Sequence, residues 1–172
     1  MSGPYPIKGV ANTILDLSFN WDTPISPMKL QKLVYLCHGY FLASTDRPLI
    51  RERFEAWQYG PVSPTLYQEF KNFGGDPITC MATEFCFEDG DDFNDFEFVT
   101  VPPVTNDIRA EKIISFVWKT YNKWSARELS ALTHQSGWAW DKVTRKHPDE
   151  RHIEISDRLI KRDFESLVTK NN

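Results

Sequence analysis

Cysteine is scarce and unpatterned in this chain: Cys37, Cys80 and Cys86 are the only three in 172 residues, and no two form a C-x-x-C pair. That excludes a disulfide framework and a zinc ribbon, and it predicts reduced thiols. Long apolar runs are missing too. No stretch approaches the roughly 20 residues that span a bilayer, and "MSGPYPIKGV" has no apolar run behind a basic start, so a cytoplasmic protein without a membrane role is expected. There is no glycine-rich phosphate loop and no G-x-S-x-G. The histidines His134, His147 and His152 form neither H-E-x-x-H nor a helical i, i+4 metal pair.

Bases are absent between Ala82 and Phe98, where seven acids lie: Glu84, Glu88, Asp89, Asp91, Asp92, Asp95 and Glu97. Removing those seven from the 24 acidic residues leaves 17 against 20 basic ones, so the net charge of −4 is concentrated in one segment. A calcium loop counted from Asp89 fails, because its fifth and sixth positions hold Phe93 and Asn94 instead of an oxygen ligand and glycine. A solvated acidic turn is the expectation, with no metal and no cofactor. Bases are frequent from Lys142 to Arg162, but interspersed acids argue against direct nucleic-acid binding.

What is present fits one compact domain: 41% hydrophobic content over a length that can bury most of its unfolded surface. Helical spacing of Val10, Ile14 and Leu17 predicts a helix over 7–19. Ser26 and Pro27 are a cap and a first helical residue ahead of "KLQKLVYLCHGYFLA", residues 29–43, which is apolar on more than one side and so predicted to be central. Within it Gly39 is read as permitting close approach of another backbone. An extended piece is expected at Phe54 to Trp57, a turn at Tyr59-Gly60-Pro61, and a helix from Ser63-Pro64 that stops before Gly74-Gly75. Two alternating runs, "TEFCFE" and "FEFVTV", flank the acidic stretch and read as a loose hairpin, with a disordered acidic loop as the alternative. Further helices are predicted from Asn106, with Asp107 and Glu111 in the first turn, over 126–134 behind the S-x-x-E capping box of Ser125 and Glu128, through "SGWAWDKVTRKH", and after Ser156.

Cys37 and His38 invite a nucleophile-and-base reading. As helix neighbours they lie about 100° apart around the axis and do not face each other, so a core role for Cys37 is expected. No carboxylate pair is singled out for acid–base work, and the chain is not expected to be an enzyme. Binding features are stronger. Trp57, Tyr59 and Tyr67 surround a rigid Gly-Pro turn and could offer contact area at little entropy cost, although the same turn could merely close the extended piece onto the next helix. His134 and Trp138 could share a hydrogen-bonded core corner.

Three segments in order, "MKLQKLVYLCHGYFLA", "FEAWQYGPVSPTLYQEFKNFG" and "SARELSALTHQSGWAW", resemble the successive signatures of the Panacea domain, also called the SocA-like antitoxin or phage-associated GepA-like domain. The likeness rests on Lys29, Leu30, Gln31, Lys32, Leu33, Tyr35, Trp57, Tyr59, Gly60, Pro61, Val62, Tyr67, Leu132, Thr133, His134 and Trp138. It spans about Asn12 to Phe164. Residues 79–103 match nothing specific and are read as a variable acidic insertion in a single domain over 1–172.

The spacings above predict a mainly α fold with a small antiparallel β-hairpin insertion; the resemblance implies a protein-binding antitoxin that neutralises a cognate toxin. At least one member of that family acts as a proteolytic adaptor for a ClpXP-type protease. The alternative is a prophage or phage accessory protein that binds a host protease or defence factor. The expected partner surface comprises Trp57, Tyr59, Pro61, Tyr67, Asp91 and Asp92, while Lys29, Leu30, Gln31, Lys32, Leu33, Tyr35, Gly60, His134 and Trp138 are expected to be structural. The short termini leave no room for a DNA-binding module.

Overall fold

The computed structural model describes residues 3–87 and 96–169. The fold is mainly α and is organised around one helix. Helix α1 spans Ile7–Asn20 and α2 spans Pro27–Thr45, its N-terminus capped by the Ser26 hydroxyl, which accepts from the Lys29 amide at 3.3 Å, with Pro27 in the first turn. Every residue of α2 from Leu30 to Leu42 is buried. A helix buried all round must be enclosed by its neighbours. Here these are α1, α4 (Ile108–Tyr121), α5 (Ala126–Thr133) and α7 (Asp157–Thr169).

Cys37 lies in that core with its side chain fully enclosed, and burial pushes its thiol well above the ordinary range. His38 is equally buried. Its Nδ1 accepts from the Ile50 amide at 3.3 Å, which leaves the proton on Nε2, and Nε2 donates to Asp157 Oδ1 at 2.9 Å. His38 therefore ties α2 to Ile50, shortly after it, and to Asp157 at the start of α7. Gly39 differs from expectation in its neighbour: the close approach is by an aromatic ring. A Cβ at this position would stand 2.2 Å from Phe164 Cε2 on α7.

Two small antiparallel sheets complete the fold. In the first, β1 (Phe54–Trp57) pairs with β2 (Gly60–Val62) and with β5 (Ile153–Ile155), in the order β2-β1-β5. The turn lies at Gln58-Tyr59, one residue earlier than the sequence predicts, because Gly60 and Pro61 pair with Trp57 and Ala56. Pro61 is tolerated there because β2 is an edge strand. Strand β5 has no counterpart in the sequence reading. Helix α3 (Pro64–Phe70) follows β2 and runs into a short 3-10 turn, Lys71–Phe73.

The second sheet is the expected hairpin, β3 (Thr83–Phe87) against β4 (Phe96–Thr100). Its base is held by the buried Asn12 of α1, which accepts from the Ala82 amide at 2.7 Å and donates to the Ala82 and Val101 carbonyls at 2.9 and 2.7 Å. Asp107 proves to be the cap of α4 and not part of its first turn, its carboxylate accepting from the Arg109 and Ala110 amides. The capping box of Ser125 and Glu128 is present at α5. Helix α6 (Ala139–Lys146) has no local side-chain cap. Asp163 of α7 supplies the acceptor instead, at 2.7 Å from the Ala139 amide. Among the described residues, no helix is long and apolar enough to cross a membrane.

Candidate functional site

The polar positions of the "KLQKL" stretch explain how the surface beside them is built. Gln31 is buried and clamps Ser63 from both sides: its amide group donates to the Ser63 carbonyl at 3.0 Å and its carbonyl accepts from the Ser63 amide at 2.9 Å. Lys32, also buried, donates to the Pro61 carbonyl at 2.9 Å. Ser130 of α5 donates to the Tyr59 carbonyl at 2.7 Å, and the Trp140 indole of α6 donates to the Trp57 carbonyl at 2.8 Å. Four side chains from three helices thus hold the backbone from Trp57 to Ser63. A turn so constrained presents its side chains in one arrangement, and ordering them on contact costs little.

Along this turn runs a groove of about 900 Å³. Trp57, Tyr59 and Tyr67 line it together with Met28, Trp140 and His152. Tyr59 is 59% exposed and Tyr67 43%, whereas Trp57 is half-buried between Tyr67, with ring centroids 4.9 Å apart, and His152, stacked at 4.3 Å. Its indole N–H donates to Glu55 at 2.8 Å. Of the expected contact residues, Trp57, Tyr59 and Tyr67 come together in this groove. Pro61 is buried, its carbonyl facing Lys32, and Asp91 and Asp92 lie outside the described residues.

Sequence reasoning did not single out Trp140 or His152. The "WAW" pair was a signal for the first. His152 takes its position only because β5 pairs with β1, and no local pattern announces that pairing.

Lys32 is the electrostatic centre of the site. It is among the residues that line the groove, 1% exposed, and burial pushes its ammonium down to about 7. Gly60 makes room for it: at φ +106° a Cβ there would stand 2.9 Å from Lys32 Nζ and 2.9 Å from Thr133 Oγ1. His134 caps the end of α5 and packs on Trp140, with centroids 3.9 Å apart, and not on Trp138. Burial and the nearby Lys32 both lower the basicity of His134, whose buried Nε2 has no hydrogen-bond partner. Trp138 packs on Phe164 at 5.6 Å. Lys29 donates to the Asn122 carbonyl, and Leu30, Leu33 and Tyr35 are core residues, with the Tyr35 ring edge-on to Phe54 at 5.1 Å. Among the described residues, no group of three or more histidine, cysteine or carboxylate side chains is arranged to hold a metal ion.

The chain belongs to the family of SocA-like antitoxin Panacea domains: the model of that domain matches residues 30–141, a span that includes both the clamping residues of the central helix and the aromatic turn. The chain is also similar to the Antitoxin SocA of Caulobacter vibrioides (strain NA1000 / CB15N), 36% identical over 160 residues that make up 91% of this chain and 81% of that protein. No solved structure matches it.

Proposed function

We propose that the protein is a cytoplasmic antitoxin without catalytic activity of its own, which neutralises a cognate protein toxin by binding it directly. The observation that carries this reading is the immobilised Trp57–Ser63 turn, which displays Tyr59 and Tyr67 beside a groove large enough for several side chains. Exposed aromatics on a rigid support are the usual anchors of protein interfaces. The family membership and the SocA relative support the same reading.

Helix α3 faces two candidate surfaces at once. Tyr67 lines the groove, while the Glu69 carboxylate accepts from the Thr83 amide at 2.8 Å at the base of the acidic hairpin. A toxin seated on α3 would meet the aromatic turn on one side and acids such as Glu84 and Glu97 on the other, an arrangement suited to a partner with a basic patch.

The test is to express the product of the neighbouring gene with and without this protein, recording growth and then copurification. Growth rescue with a stable complex is the expected outcome. Rescue without a complex would point to proteolytic delivery or indirect action in place of stoichiometric binding, and absence of toxicity would defeat the antitoxin reading. Within the complex, Tyr59→Ala is expected to weaken binding at least tenfold, and reversing Asp91 and Asp92 to lysine to weaken it further, with thermal stability unchanged. Undiminished binding in both variants would remove these surfaces from the interface.

A further inference from the structure

Lys32 is an expensive residue to keep where it is. Its ammonium is enclosed, and among the described residues its one hydrogen-bond acceptor is the Pro61 carbonyl; no carboxylate pairs with it. Buried cations are ordinarily matched by an anion or replaced by an apolar side chain, and an isolated one is unfavourable. The fold nevertheless gives it room by placing Gly60 at φ +106° against Nζ. Lys32 is also one of the residues that line the open groove.

The charges around the groove point the same way. Lys71 and Arg151 stand on its rim, and its single lining carboxylate, Glu150, is already engaged by His147 Nδ1 at 2.8 Å. Lys32, Lys71 and Arg151 thus share the groove lining with indole and phenol rings, and the one carboxylate among the described lining residues is hydrogen-bonded to a histidine.

From this we infer that the groove is a receptor for a carboxylate side chain of the protein partner: an aspartate or glutamate inserted between Trp57, Tyr67 and Trp140 to pair with Lys32. A protein segment fits better than a small phosphate compound. A phosphate group carries close to two charges and is ordinarily held by several donors, such as backbone amides or a guanidinium fork. Here one buried monovalent cation waits in an aromatic slot, and the Thr133 hydroxyl beside it is already donating to the Ser130 carbonyl at 2.9 Å. The identity of the partner as a toxin rests on the function proposed above; the carboxylate chemistry of the groove does not.

The linkage has a definite sign. An inserted carboxylate favours the charged amine and raises its pKa, so binding takes up a proton whenever free Lys32 is neutral. Affinity is then level below the free value near 7 and falls as pH rises above it. The other titratable groups facing Lys32 or the groove are His134 at the end of α5, Tyr59 on the β1–β2 turn, Tyr67 on α3, Lys71 after it, and His147, Glu150, Arg151 and His152 between α6 and β5. Lys32→Met leaves all of them in place.

Two measurements on the full chain test the inference. In the first, the Lys32 13Cε resonance is followed by NMR during titration with N-acetyl-Tyr-Glu-Tyr-amide, with the Gln counterpart, and with adenosine monophosphate. The Glu peptide is expected to shift that resonance and raise its titration midpoint by a pH unit or more, and the Gln peptide to do neither. Equal effects of the two peptides, no effect of either, or a response to adenosine monophosphate alone would overturn it. In the second, toxin affinity is measured from pH 6 to 9. Lys32→Met is expected to lose at least thirtyfold at pH 6.5 and to show a flat profile where the parent declines. An unchanged affinity and slope in the variant would overturn the inference even if the toxin complex forms, whereas absence of any complex with the parent protein defeats only the antitoxin reading and leaves the peptide titration to decide.

Discussion

Gly39 and Lys32 sit seven residues apart on α2 and set opposite limits on what the helix can hold. At Gly39 the constraint is steric, since the Phe164 ring occupies the space a methyl group would need. Overpacking of this kind costs about 1–3 kcal/mol, and a clash with a fully buried ring belongs at the upper end. Gly39→Ala is therefore expected to lower stability by about 3 kcal/mol in urea unfolding, although alanine is the better helix former. At Lys32 the constraint is electrostatic. In the unfolded chain its amine holds a proton up to about 10.4, whereas in the fold it releases it near 7, so the unfolded state binds the extra proton between those values. The penalty is full below pH 7 and relieved as pH rises through that window. Lys32→Met is expected to be more stable than the parent by several kcal/mol at pH 6, with the gap closing toward pH 10 in parallel thermal melts.

Elements with local signals were legible in the sequence, and those made by distant pairing were not. The Ser26-Pro27 start of α2 and the Ser125–Glu128 box of α5 involve residues within three positions of each other, so the chain announces them without tertiary context. Strand β5 is three residues long and exists because Phe54, Glu55 and Ala56 offer it an edge about a hundred positions away. The site divides in the same manner. Tyr59 and Tyr67 were visible as aromatics beside a Gly-Pro turn, and Gln31 and Lys32 were expected to be structural, but the Ser63 and Pro61 backbone groups they hold lie about thirty positions away and no local pattern names them.

Asn12 is a further case, a polar residue in an amphipathic helix that proves to hold both strands of the hairpin base. Asn12→Ala would leave the Ala82 amide and two carbonyls without that partner. It is expected to cost about 2–3 kcal/mol and to speed hydrogen exchange at Ala82 and Val101 more than in α2.

Over the whole molecule, the family match does not span the whole core. The match covers residues 30–141, yet the core also needs the C-terminal segment beyond that span: Ile155, Ile160 and Phe164 are fully or almost fully enclosed, and Asp163 caps α6 from outside it. A fragment ending at Lys146 keeps every signature segment but loses β5, which pairs with β1, and α7, which packs along α2. It is expected to show no cooperative thermal transition and a collapsed near-ultraviolet dichroism signal, and retention of a sharp transition would place the folding unit within the matched span.

The groove shares this dependence, because His152 stacks on Trp57 from the loop that enters β5, and Lys32 lies beneath the turn that this stacking completes. Synthesis runs from the first residue to the last, so the aromatic turn is made early and its far wall late. A chain halted before Ile153 carries the recognisable motifs without the strand that fixes the groove's far wall, so the groove is complete only when translation has passed the segment that seals the core.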